Sequence, residues 1–250
     1  MTTVDLSRAQ DRLILALDMP SAAEAMATVE RLGPSLRWVK VGMELFYAEG
    51  PDVVRRLRQR GLNIFLDLKL HDIPNTVSRA AEALLGLGVG MFNLHAAGGQ
   101  EMMAHTVTSL TRKAQEIGVP RPKIIAVTVL TSLDQAALNN EVGIPGTLEA
   151  QVEKWAMEAK AAGCDGVVAS PREVEMVKRV CGQYFLAVAP GVRPAGSDAL
   201  DHRRTMTPGQ AIAAGADYLV VGRPITAAPD PAAALNAILV EMEAALTHGR

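Results

Sequence analysis

Strand-like apolar runs and helical amphipathic patterns alternate along the whole chain, and this alternation limits the folds that it can adopt. The apolar runs lie near 12–18, 38–42, 63–69, 91–97, 123–130, 166–170, 185–190 and 218–222. The helical patterns lie near 21–32, 51–60, 75–87, 100–117, 148–162, 172–181, 207–214 and 231–246. Strands that are apolar on both faces, each followed by a helix, are typical of a buried parallel sheet.

Eight such units in 250 residues predict a closed (β/α)8 barrel that forms one α/β domain over residues 1–250. The alternative is an open, doubly wound sheet, which would place a glycine-rich turn after its first strand. Residues 18–20 read Asp-Met-Pro, so the barrel is favoured. In a barrel of this kind the active site lies at the C-terminal ends of the strands.

Composition argues against several classes of function. The formal charge of −2 gives no basic surface for nucleic acid. The longest stretch without charge, 83–100, contains several glycines and reads as a helix end followed by a strand, so we expect no membrane span. Residues 1–11 are polar and lack the apolar centre of a signal peptide. The two cysteines, Cys164 and Cys181, fit no metal or disulfide framework, and we expect a reduced, cytoplasmic protein.

Charged residues close three successive apolar runs. Asp18 ends the first run, Lys40 lies in the second, and Asp67 and Lys69 lie two residues apart in the third, on one face of a strand. Burying a charge costs roughly several kcal/mol of free energy unless an opposite charge pairs with it. The pattern therefore indicates charges with a function, although each residue taken alone is equally explained by a helix cap or a structural ion pair.

The fourth and fifth strands add polar candidates at the same end of the barrel. Period-two alternation points Asn93 and His95 inward, and the fifth strand is predicted to end at Thr131. His95 is either a catalytic base or a hydrogen-bonded core residue that supports the charged layer, and we favour the second interpretation. Two long connections, near 131–146 and 191–206, are predicted to form lids over a ligand.

The ends of strands seven and eight carry a second signal. Pro190 and Gly191 precede Arg193 after strand seven, and Gly222 precedes Arg223 after strand eight. Loops after these two strands are the usual phosphate site of the fold, where glycine admits backbone N–H groups and arginine binds the anion. A phosphorylated ligand is predicted.

Residues 67–76, Asp-Leu-Lys-Leu-His-Asp-Ile-Pro-Asn-Thr, resemble the signature of the orotidine 5′-phosphate decarboxylase family. The resemblance continues, in order, through the segments 17–18, 40–42, 127–132, 190–194 and 221–224. It implies a homodimeric (β/α)8 barrel that makes UMP from orotidine 5′-phosphate, the last step of pyrimidine synthesis, with no metal or organic cofactor.

The resemblance also implies roles for individual residues. Lys69 would protonate C6, Asp67 would lie near the departing carboxylate, Lys40 would pair with Asp67 and reach the ribose, and Asp72 would enter the partner subunit's site. The substrate-binding residues would be Asp18, Lys40, Ile73, Thr76, Thr131, Ser132, Pro190, Arg193, His202, Gly222 and Arg223.

One position departs from the family pattern. Relatives usually carry a glutamine in the strand-seven lid that bridges base and phosphate, whereas residues 200–204 here read Leu-Asp-His-Arg-Arg. Either His202 supplies an N–H in place of that glutamine, or closure of the lid is weaker.

Two other functions stay open. A sugar-phosphate decarboxylase or aldolase of the same superfamily would use Mg²⁺, but those enzymes carry glutamate on strand two, where Lys40 would repel a cation. A non-catalytic phosphate-binding barrel would be favoured by loss of Lys69 or Asp67, and both are present.

Overall fold

The computed structural model describes residues 5–194 and 206–248. Its eight strands are β1 Leu13–Leu17, β2 Trp38–Gly42, β3 Asn63–Leu70, β4 Met91–His95, β5 Lys123–Val127, β6 Gly166–Val168, β7 Leu186–Pro190 and β8 Tyr218–Val221. All neighbouring strands are parallel, and β8 pairs with β1 to close the barrel. The predicted (β/α)8 fold is confirmed.

The helices cover the outside of the barrel. They are α1 Ser7–Gln10, α2 Ala22–Leu32, α3 Met43–Glu49, α4 Pro51–Gln59, α5 Pro74–Leu84, α6 Gly99–Ile117, α7 Gln135–Asn140, α8 Leu148–Ala161, α9 Val174–Cys181, α10 Pro208–Ala213, α11 Arg223–Thr226 and α12 Pro231–His248. Short 3-10 turns are Gly33–Ser35, Leu85–Leu87, Ala96–Gly98 and Pro171–Glu173. Within the described ranges, no helix combines the length and apolarity that crossing a membrane requires.

Two hydrophobic clusters divide the core according to the alternation of each strand. The larger cluster lies between sheet and helices and includes Leu13, Leu15 and Leu17 of β1. The smaller one fills the barrel interior, with Ile14 and Ala16 of the same strand. Since each strand sends alternate side chains inward, the last inward positions form the layer that faces the barrel mouth.

The fifth strand is shorter than the sequence predicts, which corrects the position of Thr131. The strand ends at Val127, and Thr131 lies in a turn beyond it. Thr128 follows the strand, and its amide N–H and its hydroxyl both donate to the carbonyl of Val168, at 3.2 and 2.9 Å. The predicted lid near 131–146 contains the short helix α7.

Charged residues at the opposite, N-terminal end of the barrel hold the strands together. Asp165 accepts two hydrogen bonds from Arg121, at 2.7 and 2.9 Å, and one from the amide of Ile124 at 2.7 Å. Asp217 likewise binds the buried Lys178 at 2.6 Å. These carboxylates join neighbouring elements far from the C-terminal ends of the strands, so their role is structural.

Gly166 allows β6 and β7 to approach closely, and we expect Gly166→Ala to destabilise the barrel. A Cβ at this position would overlap the carbonyl oxygen and the Cβ of Leu186. Such overpacking costs about 1–3 kcal/mol, which lowers the melting temperature by roughly 2–12 °C in a chain of this size. The control is Gly86→Ala, where an added Cβ meets nothing within 4 Å. Equal melting temperatures for the two variants would contradict this account.

Candidate active site

A cavity of about 400 Å³ opens at the C-terminal ends of the strands. Nine of the catalytic and substrate-binding residues that the resemblance implies line it: Asp18, Lys40, Asp67, Lys69, Thr131, Pro190, Arg193, Gly222 and Arg223. Asn93 and Gly191, which the strand pattern also indicated, line it too. Its floor is the apolar interior of the barrel, which includes Ala16, Phe65 and Val220. The cavity therefore joins a polar rim to an apolar base.

Four charged side chains form a chain of alternating sign along one wall. The Lys40 ammonium lies 2.7 Å from Asp18 Oδ1 and 3.2 Å from Asp67 Oδ2. The other oxygen of Asp67, Oδ1, lies 2.7 Å from Lys69 Nζ. Lys40 and Asp67 are each only 8% exposed. The charges predicted to meet at the ends of β1, β2 and β3 do meet.

Pairing keeps the two buried members of this chain ionised. Burial by itself lowers the pKa of Lys40, but the carboxylates of Asp67 and Asp18 outweigh it and raise that pKa above its ordinary value. Burial opposes ionisation of Asp67 too, but Lys40 and Lys69 lower the pKa of that carboxyl overall. Removing one partner of such a buried pair typically costs about 3–5 kcal/mol, because the other charge stays buried without compensation.

Lys69 has a left-handed backbone. Its φ of 52° is the only positive value at a non-glycine position among the described residues. Such a conformation costs roughly 1–3 kcal/mol and persists only where the surroundings enforce it. Lys69 lies within a break in the pairing of β3 with β4, since Leu66 lies opposite Phe92 but Leu70 lies opposite Leu94.

Asn93 occupies the break in pairing. Its side-chain oxygen accepts a hydrogen bond from the backbone N–H of Lys69 at 2.8 Å. Its amide nitrogen donates to Asp67 Oδ1 at 2.7 Å. Inward alternation predicted that Asn93 faces the barrel interior, but the sequence contained no sign of these two contacts.

His95 lies near Asp67 and Lys69, but among the described residues it lacks the hydrogen bond that the sequence predicted. The ring instead lies 5.3 Å from that of His71. Burial, with contributions from His71 and Lys69, lowers the pKa of His95 to about 4. The imidazole is therefore neutral at physiological pH.

The far wall of the cavity carries the predicted anion-binding residues. Arg193 is 8% exposed. Its backbone N–H donates to the carbonyl of Met206 at 3.0 Å, and this hydrogen bond joins the two described ends of the connection that follows β7. Arg223 opens α11 and is exposed. Gly191 has a φ of 77°, a conformation that favours glycine. His202 lies outside the described residues.

Four predicted residues do not line the cavity. Asp72, Ile73 and Thr76 lie beyond β3 at the start of α5, all exposed, with Ile73 67% exposed. Ser132 is exposed beside Thr131. Sequence reasoning also missed several lining residues. Val127, Val168 and Val220 are apolar residues that inward alternation indicates, and Leu130 lies in the segment 127–132 that resembles the family. Nothing in the sequence indicated Thr226.

Comparison with known proteins identifies a family. The sequence model of the "Orotidine 5'-phosphate decarboxylase / HUMPS family" matches residues 11–238 of this chain. An orotidine 5′-phosphate decarboxylase of Moorella thermoacetica is 54% identical over 94% of this chain and 93% of its own length. That of Syntrophotalea carbinolica is 50% identical over 98% of this chain and 100% of its own.

Solved structures are also similar. The crystal structure of orotidine 5′-phosphate decarboxylase from Lactobacillus acidophilus has a TM-score of 0.81 and 42% identity, with 93% of this chain and 99% of that chain covered. An uncharacterized conserved protein from Geobacillus kaustophilus has a TM-score of 0.80 and 41% identity, with 92% of this chain and 99% of that chain covered.

We expect the His95 imidazole to titrate near pH 4 in the native protein. Between about pH 6.5 and 4 the unfolded chain binds a proton at this position that the folded chain does not, so His95 lowers the free energy of unfolding as pH falls through this window. Histidine NMR resonances followed against pH measure the midpoint, and a His95→Gln variant assigns the signal. A midpoint near 6.5 would contradict the described environment.

Proposed function

This chain belongs to the orotidine 5′-phosphate decarboxylase / HUMPS family, and we propose that it converts orotidine 5′-phosphate to UMP and CO2 in the last step of pyrimidine synthesis. The observation that carries the proposal is the alternating chain Asp18–Lys40–Asp67–Lys69 on the cavity wall.

Loss of CO2 from C6 of the pyrimidine leaves a carbanion in the plane of the ring. No adjacent π system spreads that charge, so an enzyme that uses no cofactor must stabilise it electrostatically and protonate it promptly. A cation held beside C6 before the reaction begins provides both effects.

We assign the cation to Lys69. Its side chain is partly exposed to the cavity, whereas Lys40 is enclosed by two carboxylates. Lys69 then donates the proton to C6 once CO2 has left. Asp67 would lie near the substrate carboxylate and repel it, an effect that is relieved as the carboxylate leaves, and it also holds the ammonium in place.

The remaining cavity residues would bind the rest of the substrate. Asp18 and Lys40 would reach the ribose hydroxyls, and Thr131 with Ser132 would contact the pyrimidine. At the other wall, the phosphate would be held by Arg193 and by Gly222 with Arg223, beside Pro190. We keep His202 as a candidate for the contact that glutamine makes in relatives.

We propose a homodimer in which Asp72 enters the partner subunit's site, together with Ile73 and Thr76. Two features support this: Asp72 is exposed on the rim instead of lining its own cavity, and exposed apolar side chains follow β2 and β3. Tyr47 is 73% exposed, Ile73 67% and Met43 44%. Burying such side chains is a common driving force for association.

A cytoplasmic, single-domain protein is also proposed. Burial raises the pKa of the Cys164 thiol to about 12 and raises that of Cys181, so both thiols are protonated at neutral pH. Protonated, buried thiols react slowly with oxidants.

The Mg²⁺-dependent alternative conflicts with the position of Lys40. Its ammonium lies against an oxygen of Asp18 and an oxygen of Asp67, which are the atoms that a divalent cation at this wall would bind. The proposal therefore assigns no metal to the reaction.

One assay distinguishes the candidate functions. Orotidine 5′-phosphate is added with and without EDTA, and the ultraviolet absorbance of its base is followed. We expect the same rate of absorbance loss in both. No loss would favour a binding protein, and loss that EDTA abolishes would favour a metal-dependent enzyme.

Lys69→Ala should abolish detectable decarboxylation without unfolding the barrel, because proton donation and electrostatic stabilisation disappear together. Lys154→Ala, which removes an exposed lysine of α8, is the matched control and should keep native turnover. A Lys69→Ala enzyme that keeps more than about a tenth of native turnover would exclude this role, because its activation free energy would then have risen by less than about 1.4 kcal/mol.

Mixing Asp72→Ala and Lys69→Ala subunits, each inactive alone, should restore activity. Each heterodimer would contain one site with both residues intact and one site with neither. Two different affinity tags allow the heterodimer to be purified before it is assayed. Purified heterodimers without activity would show that Asp72 is not shared between subunits.

A further inference from the structure

The geometry points to Asn93 as a positioning residue for the proposed decarboxylation, one that holds the Lys69 ammonium and the Asp67 carboxylate in a fixed relation. The inference rests on the proposed function. Asn93 lies on the cavity wall but is only 1% exposed, and its side-chain oxygen and nitrogen are both engaged by Lys69 and Asp67, so it acts through these two residues.

The backbone of β3 pairs irregularly with β4 beside Asn93. Asp67, Leu68 and Lys69 lie between the paired residues Leu66 and Leu70, and only Asn93 lies between their partners on β4. The strand-to-strand ladder therefore lacks regular partners along this segment. The side-chain oxygen of Asn93 accepts the N–H of Lys69 where a backbone carbonyl would otherwise do so.

The two partners of the Asn93 amide allow only one orientation of that group. The oxygen must face the backbone N–H of Lys69, and the NH2 group must face the carboxylate of Asp67. A flipped amide would place donor against donor and oxygen against oxygen. The two hydrogen bonds thus fix the amide, and the amide fixes both groups.

The same hydrogen bonds hold the Lys69 ammonium in place. Asp67 Oδ1 accepts from both Asn93 and Lys69 Nζ, each at 2.7 Å, so one oxygen is held from two directions. Lys69 is held at its side chain by Asp67 and at its backbone by Asn93. Electrostatic stabilisation of a transition state depends on such placement before the reaction. Without Asn93, the left-handed backbone of Lys69 loses the acceptor of its N–H.

Three variants separate positioning from general support. Asn93→Leu keeps the branching and the number of side-chain heavy atoms and removes both hydrogen bonds. Asn93→Asp keeps the shape and the acceptor, and it can donate to Asp67 only while the introduced carboxyl is protonated. Asn236→Asp makes the same chemical change at an exposed position of α12 and is the control.

For Asn93→Leu, we expect kcat to fall at least about 30-fold while KM stays within about threefold of the native value. The side chains proposed to hold ribose and phosphate do not contact Asn93, so binding is preserved and the chemical step is lost. Circular dichroism and the melting temperature verify that the variant is folded.

For Asn93→Asp, we expect the ratio of its kcat to native kcat to be at least tenfold higher at pH 5 than at pH 8. The introduced carboxyl would face Asp67 and Lys69 directly, with Lys40 beyond Asp67 and His95 two residues along β4. Burial and the Asp67 carboxylate both favour its protonated form, which restores the donor as pH falls. Neither the native enzyme nor Asn236→Asp carries this group.

A folded Asn93→Leu enzyme with kcat within threefold of native would overturn the inference. So would an Asn93→Asp ratio that does not change with pH, a test that stands even if Asn93→Leu does not fold. A KM that rises in parallel with the fall in kcat would also overturn it.

Hydrogen exchange separates this inference from the proposed function. The Lys69 amide should be protected in the native protein and in Asn93→Asp, which keeps the acceptor, and should exchange faster in Asn93→Leu. If the native protein does not act on orotidine 5′-phosphate but shows this pattern, the proposed function fails while the anchoring by Asn93 holds. Equal exchange in all three would overturn the anchoring itself.

Discussion

The buried ion pair between Lys40 and Asp67 is the interaction on which the rest of the site depends. Each residue is 8% exposed, and desolvation by itself would drive each toward its neutral form. Their mutual attraction, extended by Asp18 and Lys69 at the two ends, keeps both charged. The wall is therefore stable only as an alternating series, since loss of one member leaves a neighbour buried without a partner.

The barrel makes this series possible because alternation along parallel strands places successive inward residues in layers. The lower layers are apolar and closely packed, and they include Trp38, Phe65 and Met91. The inward positions two residues later are Lys40, Asp67 and Asn93. A rigid apolar floor beneath paired charges fixes their positions before a substrate arrives, so the charges need not reorganise during the reaction.

The two ends of the barrel use the same residue types for different purposes. At the N-terminal end, Asp165 and Asp217 bind both a cation and a strand N–H, which satisfies their oxygens with groups that join neighbouring elements. At the C-terminal end, Asp67 is bound to two lysines and an amide on the wall of an open cavity. Charge alone does not distinguish these roles, whereas position along the strand does.

The sequence by itself determined the barrel, the position of Lys40 and Asp67 at the C-terminal ends of their strands and the inward direction of Asn93, because hydrophobic periodicity and side-chain alternation are local properties of a chain. Only the tertiary structure decided that β5 ends at Val127, that Lys69 adopts a φ of 52°, and that the side-chain oxygen of Asn93 accepts the N–H of Lys69. These features arise from the pairing of strands, and the two residues joined by that bond are 24 positions apart. A left-handed lysine is unfavourable within its own segment and is stable only because the neighbouring strand supplies an acceptor.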